Sequence, residues 1–221
     1  MTAILVLVTF AILLTIDYLL HHRHAVKPAS VVAAEKEPRL QPEFIGGFAV
    51  PENLRYHLGH TWALSESPTL VRIGLDDFAA RLLGKVERIE LPQRGQWVRQ
   101  GQKIWTVLRN GGKAEMVSPM EGIITDINDR VLSEPELARR EPYGEGWLVK
   151  VNSPDAKLSF RNLLGGSVAR KWMEEAGARL RARMLATAPA LAQDGGMAVD
   201  DISRHLPEQN WVELTQEFFL T

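Results

Sequence analysis

A chain of 221 residues with 45% hydrophobic and 24% charged residues is long enough for one substantial core with an appendage. Its formal net charge of −1 gives no general attraction for nucleic acid or acidic lipid, so no nucleic-acid partner is expected. The absence of cysteine removes disulfides, thiolate metal sites and cysteine nucleophiles together.

From Thr2 to Leu20 the residues are almost all aliphatic or aromatic, long enough at helical rise to cross a hydrocarbon core of about 30 Å. Asp17 is the only charge in the run, and His21, His22, Arg23, His24 and Lys27 follow at once. A secretory signal places its positive charge ahead of the apolar run and a small-residue cleavage site behind it, and neither is present. Residues 1–24 are therefore read as a retained transmembrane anchor with a basic flank; the other reading of the run is a buried core helix. The positive-inside rule places the anchor in the inner, cytoplasmic membrane as a single pass, with the rest of the chain in the cytoplasm. The histidines belong to that polar flank, and no metal site is expected.

Residues 25–43 carry Pro28, Pro38 and Pro42, a charged Glu35-Lys36-Glu37 group and no apolar period, the pattern of a flexible linker. Residues 44–155 then alternate short β-type runs with turn residues, as in an all-β sandwich or barrel. The spacing predicts strands at Thr61–Leu64, Leu70–Gly74, Lys85–Glu90, Lys103–Leu108, Lys113–Val117, Ile123–Ile127 and Trp147–Val151. Asp76 to Leu83 reads as a short helix, capped by Asp76, buried through Phe78, Leu82 and Leu83, and ended by Gly84. A second short helix is predicted at Pro135–Arg140. Between two of the strands stands Asn110-Gly111, a pair that supplies the positive φ angles of a two-residue hairpin turn. The runs on either side, Val86–Leu108 and Ala114–Ile127, resemble each other weakly and suggest a quasi-symmetric sandwich with the hairpin at its end.

Residues 156–221 turn helical. Leu164, Val168, Trp172, Ala176, Leu180 and Met184 recur every four residues as one apolar stripe. Asp200 or Asp201 can cap a short helix through Leu206, and Pro207 opens a last helix with Trp211, Leu214 and Phe218 on one side. These faces either pack on the β domain or dock a partner protein, and Trp172, Leu180, Trp211 and Phe218 are the residues through which docking is expected.

The order of motifs resembles the H protein of the glycine cleavage system, over roughly Val50 to Asp155. Val50-Pro51 with Tyr56, His60 and Trp62 is similar to that family's opening strand. Ile73-Gly74-Leu75 with Asp77-Phe78-Ala79 and Leu83-Gly84 is similar to its following helix. Glu90-Leu91-Pro92, Gly95, Val98 and Gly101 match the next turn, Ser118-Pro119 with Gly122 the return strand, and Pro142-Tyr143-Gly144-Glu145-Gly146-Trp147-Leu148 the closing signature. The resemblance implies a mainly β fold, the barrel-sandwich hybrid of lipoyl-type domains, here with an N-terminal transmembrane helix and C-terminal α-helices. It also implies a hairpin-tip lysine that carries lipoate, eight residues before the proline of the Ser-Pro pair. Counting back from Pro119 reaches Gly111, and the acidic residue usual three positions earlier is replaced by Leu108. Glycine has no amine to modify. The nearest lysine, Lys113, sits two positions down the return strand, where its side chain leaves the sheet face.

No acid–base dyad, phosphate-binding glycine loop or metal cluster is legible, so no enzyme is expected. The leading expectation is a membrane-anchored H-protein-like scaffold or subunit without lipoate. The alternative is a working lipoyl carrier using Lys113 as its cofactor-binding residue. A third reading is the membrane-fusion adaptor of an export pump, whose members usually insert a long coiled coil where Asn110-Gly111 stands here.

Overall fold

This computed structural model describes residue 15, residues 43–187 and residues 207–220. The described residues from Glu43 onward lie in one compact unit, Leu40–Thr221. Among the described residues no helix is long and apolar enough to cross a membrane. The expected anchor at Thr2–Leu20, apart from Thr15, lies outside the described residues, as do the linker before Glu43 and the short helix expected before Pro207.

Eleven short strands build three sheets among the described residues. β1 (Glu43–Ile45) and β2 (Phe48–Val50) form a hairpin turned through Gly46 and Gly47, both at positive φ. A six-stranded sheet runs in the order β3 (Arg55–His57), β4 (Thr61–Ser65), β5 (Leu70–Leu75), β11 (Val149–Asn152), β10 (Gly122–Ile127), β7 (Trp97–Val98). A three-stranded sheet holds β6 (Arg88–Glu90), β8 (Lys103–Arg109) and β9 (Gly112–Val117) in that order. The two weakly similar runs are thus shared between sheets: β8 pairs with β9 in the small one, while β7 pairs with β10 in the large one.

One apolar core draws on both larger sheets and on the helices, with Tyr56, Trp62, Phe78, Val107, Met116, Ile124 and Val149 all buried. Burial of each such side chain contributes about 1.5–3 kcal/mol, which is why strands this short persist. Close approach decides some identities. Gly74 faces Trp62, whose ring would lie 2.5 Å from a Cβ placed there. The indole nitrogen of Trp62 donates to the Pro142 carbonyl at 3.0 Å, tying the opening strands to the closing signature across the chain.

Helix α1 (Asp77–Leu83) begins where the sequence indicates: the Asp76 carboxylate accepts from the Ala79 amide at 2.8 Å, and Gly84 ends the helix at φ 66°. Phe78, Leu82 and Leu83 are buried beneath it. Two short helices follow β10, α2 (Asp129–Ser133), capped by Asn128, and α3 (Glu136–Arg140). Helix α4 (Ala156–Arg161) precedes the long α5 (Gly166–Thr187), and α6 (Glu208–Phe219) closes the described chain.

The apolar stripe of α5 departs from its expected composition. Val168 is 59% exposed, and Leu164 precedes the helix, bridging to Tyr56 in β3. The buried seam is Ala169, Trp172, Met173, Ala176 and Leu180. Steps of four residues advance about 40° per step around a helix of 3.6 residues per turn, so a strict four-residue repeat winds off the face it starts on. Alternating steps of three and four keep the seam aligned.

The expected use of Trp172, Leu180, Trp211 and Phe218 as partner-docking residues is corrected by the fold, since all four are buried within this chain. Trp172 stacks on His60 with ring centroids 4.6 Å apart, and Phe218 packs on Phe78 at 4.9 Å. Gly177 of α5 faces the Phe48 ring, and Arg181 donates to the Gly46 carbonyl, so α5 lies on the β1–β2 hairpin. Apolar faces of this size are covered in place, and the β domain supplies the cover.

Candidate functional site

The hairpin β8–β9 is the candidate site. Its register closes at Arg109 opposite Gly112, leaving Asn110 and Gly111 as the two turn residues. Their φ angles, 46° and 83°, are both in the left-handed region that a type I′ turn requires. Asn is one of the few non-glycine residues that tolerate it. Both residues are exposed, so the tip is an open apex built of a carboxamide and a glycine.

Lys113 does not belong to that apex. It is the second residue of β9 and is 57% exposed, whereas its neighbours Gly112 and Ala114 are buried. Alternation along a strand puts Lys113 on the opposite face from them. Its ammonium lies 3.4 Å from Glu115, whose carboxylate is also bound by Lys103 at 2.9 Å. The hydrogen bond from Lys103, with Lys113 adding to it, holds the Glu115 carboxyl below the ordinary glutamate range.

The other face of β9 is occupied by α6. The six-membered ring of Trp211 lies over Gly112, where a Cβ would come within 2.9 Å of it. The indole nitrogen of Trp211 donates to the Leu82 carbonyl at the end of α1, at 3.0 Å, and the Arg109 guanidinium sits 5.4 Å from the ring centroid. The hairpin arm is therefore braced on its inner face by the last helix. The Gly112–Trp211 contact and the part played by Arg109 were not legible in the sequence. The available signal was a second glycine after Asn-Gly, at a strand position where only a side chain packing against the backbone explains the lack of a Cβ.

Farther along α6, Phe218 and Phe219 close over His60. His60 sits at φ 59°, fully buried, its Nδ1 2.8 Å from Asp76 and its ring stacked 3.9 Å from that of Phe78. Its Nε2 has no hydrogen-bond partner among the described residues. Tyr143 completes this region: its hydroxyl donates to the Ala49 carbonyl at 2.6 Å and accepts from the Asp77 amide at 2.9 Å. Burial pushes the Tyr143 phenol well up from its usual value, so it stays a neutral hydroxyl. These contacts tie together residues that carry the sequence resemblance, with His60 and Asp76 fully buried and Tyr143 and Asp77 partly buried at the margin.

Chemically, the apex can present a short polar turn to another molecule, but it offers no amine. The lipoyl attachment implied by the sequence resemblance needs a primary amine projecting from the tip. The residues present do not fit that group at the apex, since Gly111 stands there and Lys113 emerges from the flank of the strand beside a carboxylate. Among the described residues no group of three metal-ligating side chains is assembled either.

Comparison with known proteins bears directly on this arrangement. A model of the glycine cleavage H-protein family matches residues 54–176. A probable glycine cleavage system H protein from Aeropyrum pernix is 35% identical over 117 residues, covering 53% of this chain and 80% of that protein. The glycine cleavage system H protein of Anaeromyxobacter sp. (strain K) is 32% identical over 126 residues, covering 57% of this chain and 97% of that protein. A crystal structure of a glycine cleavage system H protein from Mycobacterium marinum aligns with 58% of this chain and 99% of its own at 24% identity and a TM-score of 0.48. The matched span runs from the strands around Tyr56 into the α5 helix and includes the hairpin, and on that span the chain belongs to the glycine cleavage H-protein family.

Proposed function

We propose that this protein is a non-lipoylated, membrane-anchored member of the H-protein family that acts as a scaffold or subunit for other proteins. The family's members are not catalysts themselves but carriers that normally bear lipoate. The observation that carries the reading is the hairpin apex: Asn110 and Gly111 occupy the tip, and no amine projects from it. The inner face of the arm is also engaged, with Trp211 seated on Gly112. An arm braced in this way is suited to a fixed structural role.

The anchor and the cytoplasmic side rest on the sequence alone, on the apolar run Thr2–Leu20 followed by basic residues. The domain division, 1–24, 25–43, 44–155 and 156–221, belongs to the same reading. Its last boundary is one of sequence character, since α5 and α6 pack on the β domain.

The alternative, a carrier that uses Lys113, draws on one observation: the Lys113 side chain is more than half exposed and its contact with Glu115 is long. Intact-mass measurement of the full chain purified from membranes of lipoate-replete cells separates the two. The scaffold reading expects the unmodified mass. A lipoyl adduct that disappears in Lys113→Ala would establish the carrier. For the anchor, extraction of membranes with alkaline carbonate should leave the chain in the pellet; release into the supernatant would remove that part of the reading.

A further inference from the structure

We propose that the cleft between β7 and α4 binds a single lysine or arginine side chain of a partner protein. The cleft has a volume of about 260 Å³ and is lined by Trp97, Glu121, Ser153, Asp155, Leu158 and Asn162 among others. That is room for one long side chain.

Its walls are unusual for free surface. Trp97 lies on the last strand of the six-stranded sheet and is 48% exposed, next to Ile123 in register on β10. Leu158 of α4 is 62% exposed on the other side. A half-exposed indole beside exposed apolar side chains is a surface on which an aliphatic stem packs and a cation is attracted.

The polar groups select the sign of the ligand. Gln100 uses both amide hydrogens inside the fold, on the carbonyls of Pro119 and Ser159, and Asn162 donates to Gln100. Glu121 and Asp155, both exposed, take part in no ion pair among the described residues. Asp155 stands at the N-cap of α4 yet accepts no capping bond, so its carboxylate is not committed to the helix. Ser153 is 1% exposed, lines the cleft, and its hydroxyl is matched to no partner among the described residues. What remains free is therefore mostly acceptor: two carboxylates, an amide oxygen and a hydroxyl beside a half-exposed indole. A donor-rich cation with an apolar stem satisfies all of them. Arg99 lines the adjoining depression on the other side of Trp97, and Lys157 follows Asp155 by two residues. These flanking positive charges disfavour a run of basic residues, which is why the occupant is one lysine or arginine.

The test uses the full chain labelled with 5-fluorotryptophan, in which the resonance of Trp97 among the six tryptophans is assigned by its loss in Trp97→Phe. Acetyl-lysine-amide is the probe, and acetyl-norleucine-amide, which has the same stem without the ammonium, is the control. The proposal expects a saturable shift of the Trp97 signal with the lysine probe, weakened roughly fivefold or more in Glu121→Gln/Asp155→Asn and by added salt, and no saturable shift with norleucine. The salt titration on the unaltered chain stands if the double variant fails to fold, which the Trp62 and Trp211 signals would reveal. An equal response to norleucine, a response unchanged by salt and by the double variant, or no saturable shift at all would overturn it.

Discussion

The apex of the β8–β9 hairpin and the buried region around His60 sit on the same domain but are held in opposite ways. Around His60 the polar side chains are tied to the backbone or to one another: Asp76 caps α1 and holds the imidazole through Nδ1, Tyr143 links the Ala49 carbonyl to the Asp77 amide, and Trp62 reaches the Pro142 carbonyl. At the apex Asn110 and Gly111 face solvent, and their identity is set only by the φ angles of the turn. A residue locked into a network is retained by the stability of the fold. A residue at an exposed tip has only the geometry of the turn to satisfy. On the proposed reading the scaffold is kept while the apex, Asn110 and Gly111, offers no carrier amine.

The largest effect expected is on the brace between the two regions. Trp211→Ala should destabilise the domain by about 3–5 kcal/mol, the range for removing a buried large aromatic, read by chemical denaturation of the full chain. It should also raise amide exchange along β9 more than along β5. Uniform loss of protection across both strands would mean that α6 supports the fold as a whole and does not specifically hold the hairpin.

Asp76→Ala comes next. It removes a helix cap, about 1 kcal/mol, and strands a buried imidazole donor, about 1–3 kcal/mol, for a total of about 2–4 kcal/mol. A loss below half a kcal/mol would show that the network around His60 is not what retains these residues. Gly112→Ala should cost about 1–3 kcal/mol through crowding against Trp211. The cost should shrink when combined with Trp211→Leu, because the added methyl then has space; strict additivity would contradict the packing described.

How far the sequence reveals all this depends on the range of the interaction. The Asp76 cap, the Gly84 stop and the Asn110-Gly111 turn are set by neighbours within a few residues, and all were legible. β1, β2, β3 and β7 are two or three residues long, too short to show a period of two, and they form because partners distant in sequence complete them. α4 falls within the stretch read as helical, without bounds of its own, and α2, one turn capped by Asn128, shows no apolar period to announce it. The exposure of Val168 follows from the drift of a four-residue repeat. The seating of Trp211 on Gly112 joins residues far apart in the chain, and no local pattern announces it.

The smallest effects belong to the outer face of the arm. Lys113→Ala should change stability by no more than about 0.5 kcal/mol, as expected of an exposed strand lysine. Glu115 has a folded-state pKa below its ordinary value of 4.5, so its contribution is present above that value and is lost as pH falls through the depressed one. Glu115→Gln should flatten that acid limb slightly. A large drop in stability for either variant would mean that the outer face carries more of the hairpin than its exposure indicates.

The proposed function requires that the chain accept no lipoate while it keeps the family scaffold. Its most direct test is lipoate attachment in vitro, with the full chain and a lipoate-bearing H protein incubated side by side with lipoate, ATP and an attaching enzyme and read by intact mass. The account predicts that the control gains the adduct and this chain keeps its unmodified mass. An adduct on this chain that maps to Lys113 and vanishes in Lys113→Ala would contradict it.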